Sequence, residues 1–330
     1  MLTGIENLKE TMKKDGHPDR FVNQYEFMNI LVPDLYYMGD YPLQPGQGYD
    51  QYGVLWSFPE GQMGAFPVHD AAHKRIPDIT EWDKILTHKP VAPPVPEYWG
   101  MLNGIAAQSV PGEQYATAFH TQGVFERFHA LLGMDDALID LYEEPEASHD
   151  LIDFITEVEL DFAKNIMDHV PGVRALFHHD DWGSDVNSFL PPELFDEFIT
   201  PAYKKIYAYW KSRGVELIIH HSDSYAANLI PSMIDMGIDI WQGVFPSNNI
   251  PALVEKYAGQ ITFMGEIETR FIDLPDWTEE KVAAEVERAC RKCKGPSFIP
   301  CLTAGMNLSS HPGVYDKVSE EIKRMSRELF

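Results

Sequence analysis

The sequence predicts a (β/α)₈ barrel of the TIM type, on three observations. First, between Arg174 and Cys301 one unit recurs: a short apolar run that ends abruptly in polar, metal-capable or acid–base side chains. Second, each run is continuously apolar rather than alternating, as expected of a parallel strand buried on both faces. Third, an amphipathic helical stretch with short connections follows each run, and a parallel strand needs such a return before the next can begin. In a closed barrel of this kind the carboxyl ends of all strands meet at one face, and that face holds the active site.

The first strand of this rhythm is predicted at Tyr115-Ala-Thr-Ala-Phe119, with a helix over 123–132 after it. Pro145 sits where a first helical turn tolerates proline, which predicts a helix over 145–169. The runs that follow are Ala175-Leu-Phe-His-His-Asp-Asp-Trp-Gly183, Glu216-Leu-Ile-Ile-His-His-Ser-Asp223, Ile238-Asp-Ile-Trp-Gln-Gly243, Ile261-Thr-Phe-Met-Gly-Glu266 and Ser297-Phe-Ile-Pro-Cys301. Pro191-Pro192 opens a helix running to Gly214, with a kink or break expected at Pro201. Later helices are predicted over 226–236, 252–257, 278–292 and 314–329. Residues 1–110 read as an N-terminal elaboration of one domain spanning 1–330. Its aromatic stretch, Asp50-Gln-Tyr-Gly-Val-Leu-Trp56 and Gly61-Gln-Met-Gly-Ala-Phe-Pro67, reads as a folded hairpin that either lies over the barrel mouth or plugs the opposite end.

Composition narrows the function. Among 330 residues, 26 Lys and Arg stand against 51 Asp and Glu, a formal charge of −25. That balance argues against nucleic acid or an anionic membrane as partner. No apolar run approaches the ~20 residues of a membrane span and no signal-peptide pattern opens the chain, so a cytoplasmic location is expected. Three cysteines fit a reducing compartment. Cys290-Arg-Lys-Cys293 lacks a second cysteine or histidine pair, falls at the pole opposite Cys301, and reads as structural.

The strand ends supply the candidate chemistry. Of His220 and His221, alternation can aim only one into the mouth; His220 is taken as a metal ligand and His221 as lining the substrate site. Glu266 is a second candidate ligand, or else an acid paired with Arg270, and Cys301 is a third. His179 and Asp180 are candidate proton donors, since paired acids so close together have their pKa values driven apart. Asp181, Trp182, Gln242 and, from the N-terminal stretch, Trp56 are expected to face substrate. No phosphate loop, nucleophile elbow or HExxH is present.

Taken together, Asp180-Asp-Trp-Gly183, Pro191-Pro-Glu-Leu-Phe-Asp-Glu-Phe-Ile-Thr-Pro201, Ile219-His-His-Ser222 and Met236-Gly-Ile-Asp239 resemble the uroporphyrinogen decarboxylase superfamily, with the order of elements matching from about residue 115 to 310. The resemblance implies the same barrel with a cleft at its carboxyl end. The decarboxylases of that family carry an N-terminal Arg-Gln-Ala-Gly-Arg segment that binds substrate carboxylates, and nothing like it stands here. The other branch comprises corrinoid-dependent zinc methyltransferases, whose ligands are a His-x-Cys at one strand end and a later Cys. Here His220 matches the histidine, Ser222 takes the first cysteine position and the later one falls near Ala304.

What the resemblance implies is a methyltransferase of anaerobic metabolism that moves a methyl group from a small donor, a methoxyaromatic in the O-demethylase manner, to or from the cobalamin of a corrinoid protein. Zinc would act as Lewis acid on the leaving group. The alternatives are decarboxylation of a tetrapyrrole, with Asp180 or His220 as proton donor, and a non-catalytic barrel subunit.

Overall fold

The computed structural model describes residues 1–33, 39–62, 64–92 and 95–330. The described strands, in chain order, are β1 (Met28–Leu31), β2 (Gly46–Tyr49), β3 (Leu55–Phe58), β4 (Phe66–Pro67), β5 (Tyr115–His120), β6 (Ala175–His179), β7 (Leu217–His221), β8 (Ile240–Val244), β9 (Thr262–Ile267) and β10 (Phe298–Leu302). The helices are α1 (Gly4–Met12), α2 (Trp82–Ile85), α3 (Pro96–Ala106), α4 (Val124–Leu132), α5 (Met134–Glu143), α6 (Pro145–His169), α7 (Pro192–Leu194), α8 (Thr200–Ser212), α9 (Ile230–Met236), α10 (Ile250–Tyr257), α11 (Thr269–Ile272), α12 (Glu279–Cys293) and α13 (Val314–Leu329).

Strands β1, β5, β6, β7, β8, β9 and β10 form one curled parallel sheet in that order, with helices outside it: a TIM-barrel-like α/β fold. The barrel begins earlier than the sequence suggested. Met28–Leu31 pairs in parallel with Tyr115–Ala118, so its first strand comes from the stretch read as irregular. The ladder has seven strands among the described residues, where eight were expected. Between β10 and β1 the ring is shut by side chains: Gln24 Oε1 accepts from the Leu302 N–H at 3.3 Å, and the Tyr25 hydroxyl donates to Ala304 O at 2.8 Å.

Both faces of each strand are buried. Tyr115, Phe119, Phe177, Leu217, Ile219, Ile240, Met264 and Ile299 fill the interior, while Leu176, Ile218, Trp241, Phe263 and Phe298 pack outward against the helices. The helices follow their sequence cues. Pro145 stands in the first turn of α6. The break expected near Pro201 is a π-helical turn, Phe195–Ile199, through which the chain passes from α7 into α8. Such turns absorb the disruption caused by a proline that cannot donate to the ladder.

The first helix and the aromatic stretch stand at opposite ends of the barrel. Helix α1 closes the amino end of the barrel: Leu8 joins the interior core and the Ser297 N–H, just before β10, donates to Thr11 O at 2.7 Å. The antiparallel trio β2, β3 and β4 lies instead at the mouth, Met63 of the stretch before β4 falling outside the described residues. Asp50 holds this trio down. It accepts the Tyr52 and Val54 N–H groups and the Trp56 indole N–H, each at 2.9 Å, and is ion-paired with buried Arg127 of α4.

Gly243 has a φ of +93°, and a Cβ there would stand 2.9 Å from the Asp223 backbone. Gly243→Ala should therefore cost about 2–4 kcal/mol, from the left-handed backbone and the clash together. Unchanged denaturant midpoints would contradict this packing.

Candidate active site at the barrel mouth

Strand alternation decides which strand-end groups face the mouth. On β6 and β7 the interior carries Phe177 and Ile219, so His179 and His221 point inward and His178 and His220 point outward. Asp181 and Asp223 follow in the same inward phase. Together with Glu126, Gln122 and His129 from the β5–α4 segment and Ala304–Met306 after β10, they line a cleft of about 450 Å³. Tyr41, Trp56, Phe66 and Phe119 form its aromatic wall.

His221 is the best-determined group there. The Gln242 amide nitrogen donates to Leu302 O and Ala304 O at 3.1 and 3.2 Å, which fixes its oxygen toward the His221 Nδ1. That Nδ1 must then carry the proton, and Nε2 is left as a lone-pair donor in the cleft, 3.8 Å from Asp181 Oδ1. Burial holds His221 down to about 4, so the ring is neutral near pH 7. Gly305 lies against its edge; a Cβ there would come within 2.9 Å of Nε2.

His179 stacks on His221 with ring centres 4.3 Å apart. Its Nδ1 donates to Glu126 Oε2 at 3.2 Å. Burial disfavours its charge, but Glu126 and Asp181 outweigh that and raise its pKa to about 10. Burial and the neighbouring Asp181 push the Asp223 carboxyl well above the ordinary range. One ligand atom each from His179, Asp181 and His221 lies within 4.8 Å of the others, the spacing a metal ion needs.

The metal set expected from the sequence does not assemble. His220 faces the helix layer: its Nδ1 accepts from the Tyr207 hydroxyl at 2.7 Å, its Nε2 donates to Asp180 O at 3.1 Å, and Trp182 stacks on it at 3.8 Å. Glu266 is also turned outward. A φ of +70° at Glu266 breaks the alternation, and Arg288 and Lys292 of α12 bind its Oε1 at 2.6 and 2.7 Å. The acid is thus cation-paired, with Arg288 and Lys292 in place of Arg270. Cys301 points inward but is sealed in the core beneath the mouth, where burial pushes its thiol up. Cys290 and Cys293 are buried in α12 as free thiols.

Asp180 and Trp182 are likewise outside the cleft. Buried Asp180 accepts the Phe125 and Glu126 N–H groups at 2.9 and 2.7 Å, the Trp182 indole N–H and the Tyr203 hydroxyl. Burial and Glu126 raise it to about 7 against those hydrogen bonds. Its place is at the positive N-terminus of α4, fixing the helix that carries Glu126. Gln242 acts behind His221 rather than toward substrate. Trp56, Asp181, His179 and His221 do line the cleft. Sequence reasoning missed Glu126, which no strand-end pattern marks, and Asp223, whose His221-Ser-Asp223 spacing was the available signal.

The family model described as uroporphyrinogen decarboxylase (URO-D) matches residues 76–325. Among solved structures, a methyltransferase from Methanosarcina mazei is similar with a TM-score of 0.60 at 14% identity, over 84% of this chain and 76% of that one. A B12-independent methionine synthase from Shewanella sp. W3-18-1, in complex with selenomethionine, is more distant: TM-score 0.45, 13% identity, over 70% of this chain and 66% of that one. No curated protein sequence matches the chain.

In metal-free protein the His179 ring should stay protonated from pH 6 to 8 in NMR titrations, and Glu126→Gln should bring its titration down toward the ordinary range. Because its folded pKa is raised, the stability this pair contributes is complete below the ordinary histidine value near 6.5 and is lost as pH climbs toward 10. A His179 signal titrating near pH 6.5 in the unmutated chain would contradict this arrangement.

Proposed function

The chain belongs to the uroporphyrinogen decarboxylase family, and from that premise we propose that it is a methyltransferase, moving a methyl group between a small methylated donor and the cobalamin of a corrinoid protein. The observation that carries this reading is the His221 ring, locked by Gln242 with Nε2 bare beside Asp181 and His179. Two imidazoles and a carboxylate at an open cleft are a donor set that suits zinc. The outward partner on the other ring nitrogen is what orients a metal-binding histidine. His179, Asp181 and His221 are the residues that would hold the ion, in place of His220, Glu266 and Cys301.

In the branch of zinc methyltransferases the ligand spacing is His-x-Cys. In the inward phase this chain carries His221-Ser222-Asp223 at that spacing, with no thiolate, and His221 with His179 and Asp181 makes a harder set, better suited to an oxygen or nitrogen leaving group. Bound zinc would supply Lewis acidity toward that leaving atom. The protein supplies the rest. Tyr41, Trp56, Phe66 and Phe119 pack an apolar or aromatic donor, as a methoxyaromatic would be, and exclude water from the reacting methyl. The Asp223 carboxyl, whose burial and Asp181 neighbour make it hold its proton to higher pH than an ordinary carboxyl, faces the same cleft and can give its proton to the departing oxygen. Glu126 orients His179, whose proton zinc must displace, so that zinc affinity rises with pH. Support for a methyl-transfer role also comes from the Methanosarcina mazei methyltransferase with the related fold.

Tetrapyrrole decarboxylation is the less favoured reading. No Lys or Arg is among the described residues lining the cleft, and the Glu126 and Asp181 carboxylates would repel a polycarboxylate.

The test is zinc content after loading, together with methyl transfer from an uncharged methoxyphenol to free cob(I)alamin. His221→Ala and Asp181→Ala should each lose the mouth ion and at least 100-fold in transfer. Wild-type protein that takes up no zinc at the mouth, or a His221→Ala variant transferring at the wild-type rate, would sink the proposal.

A further inference from the structure

A second group of ligand-type side chains lies outside the cleft, on the helix side of the sheet. His120 ends β5, His178 is its register partner on β6, and Glu159 reaches them from the middle of α6. His120 Nε2 is 2.8 Å from Glu159 Oε1, and His178 Nε2 is 3.6 Å from Glu159 Oε2. One ligand atom from each residue lies within 4.8 Å of the others.

The polar inventory of this group is incomplete. His178 is 0% exposed, and neither of its ring nitrogens has a hydrogen-bond partner; Glu159 Oε2 has none either. A buried polar atom without a partner is destabilising, and here three occur within one contact. Packing does not explain them. The two imidazoles are 5.0 Å apart, with Phe162 stacked on His120 and the edges of Tyr203 and Tyr207 on His178, so the rings are rigidly placed but unsatisfied. Burial and the neighbouring His120 lower the His178 pKa well below its ordinary value, so the ring is neutral and keeps a lone pair.

We propose that His120, Glu159 and His178 form a second, structural zinc site that ties β5 and β6 to α6. Zn–N and Zn–O bonds of ~2.0–2.1 Å in a tetrahedral set place ligand atoms ~3.3 Å apart, between the two contacts seen. Binding needs no redox partner. The proton between His120 Nε2 and Glu159 moves to His120 Nδ1, so that two neutral imidazoles and one carboxylate take the dication, and Glu159 Oε2 and one ring nitrogen of His178 gain a partner. The donor set contains no sulfur, and its burial makes exchange slow.

This site is independent of the mouth, so the experiment uses His221→Ala as background. Full-length His221→Ala protein loaded with zinc, passed over a desalting column and analysed by mass spectrometry should retain one ion per chain. His178→Phe and Glu159→Gln on that background should each reduce it to none. X-ray absorption at the zinc edge should show nitrogen and oxygen neighbours only, and this measurement needs no variant at the site. Stripping the ion with a chelator should lower the melting temperature by several degrees, and zinc alone should restore it. Retention of zinc in both site variants, sulfur in the coordination shell, or no retained zinc in the His221→Ala background overturns the proposal. Wild-type protein retaining one ion that His221→Ala does not remove leaves this site standing and removes the ion from the mouth.

Discussion

The Gln242 side chain is the constraint on which the mouth depends. It is buried on β8, yet its amide joins the segment after β10, through the carbonyls of Leu302 and Ala304, to the imidazole of His221 on β7. Each hydrogen bond contributes only ~1 kcal/mol net, but losing one partner would strand buried groups on three elements. The same amide therefore closes the carboxyl end of the ring and selects the tautomer of His221. A carboxylate in its place would still accept from Nδ1–H but would meet two carbonyl oxygens with no proton to give. A glutamine is the residue that satisfies both sides at once.

The alternation of each strand sorts the polar groups into two populations. On the inner face, His179, Asp181, His221 and Asp223 reach the cleft. On the outer face, His178, Asp180 and His220 enter the helix layer, where each meets a tyrosine of α8. The two populations communicate. Asp180 takes the first free N–H groups of α4, and α4 presents Glu126, which in turn orients His179. An outward carboxylate thus sets the direction of an inward imidazole without touching the cleft.

The sequence carried the barrel plainly and the site only in part. Continuous apolar runs with helical returns identify parallel strands, and Pro145, Pro201 and Gly214 mark helix events that the structure realises. What those runs cannot give is phase. In Leu217-Ile-Ile-His-His221 both faces are equally apolar, so nothing in the run says whether His220 or His221 looks inward; the partner cues, Gln242 on one side and Tyr207 on the other, lie far along the chain. Glu266 misled for a different reason. A left-handed φ reverses its direction, and it is not visible in Phe263-Met-Gly-Glu266 beyond the glycine. β1 was missed because Met28-Asn-Ile-Leu31 is short and sits among turn residues, and its pairing with β5 spans more than eighty positions.

The roof completes the argument about what the cleft can receive. Arg127 is the cation nearest to the mouth on α4, and it is spent: one end is ion-paired with Asp50 under the β2–β4 trio, the other donates to Gln122. Its guanidinium also covers the Tyr52 ring at 4.2 Å. Arg270, on α11, is paired with Glu268 and Asp185. The Arg127–Asp50 pair is buried and costly to break, since a lone charge would be stranded, so Arg127 stays with its partners rather than turn toward a ligand. The charge that anchors the roof is thereby withheld from the substrate. What remains toward the cleft is a lining of carboxyl groups, imidazoles and aromatic rings, the surface against which the proposed uncharged donor would pack.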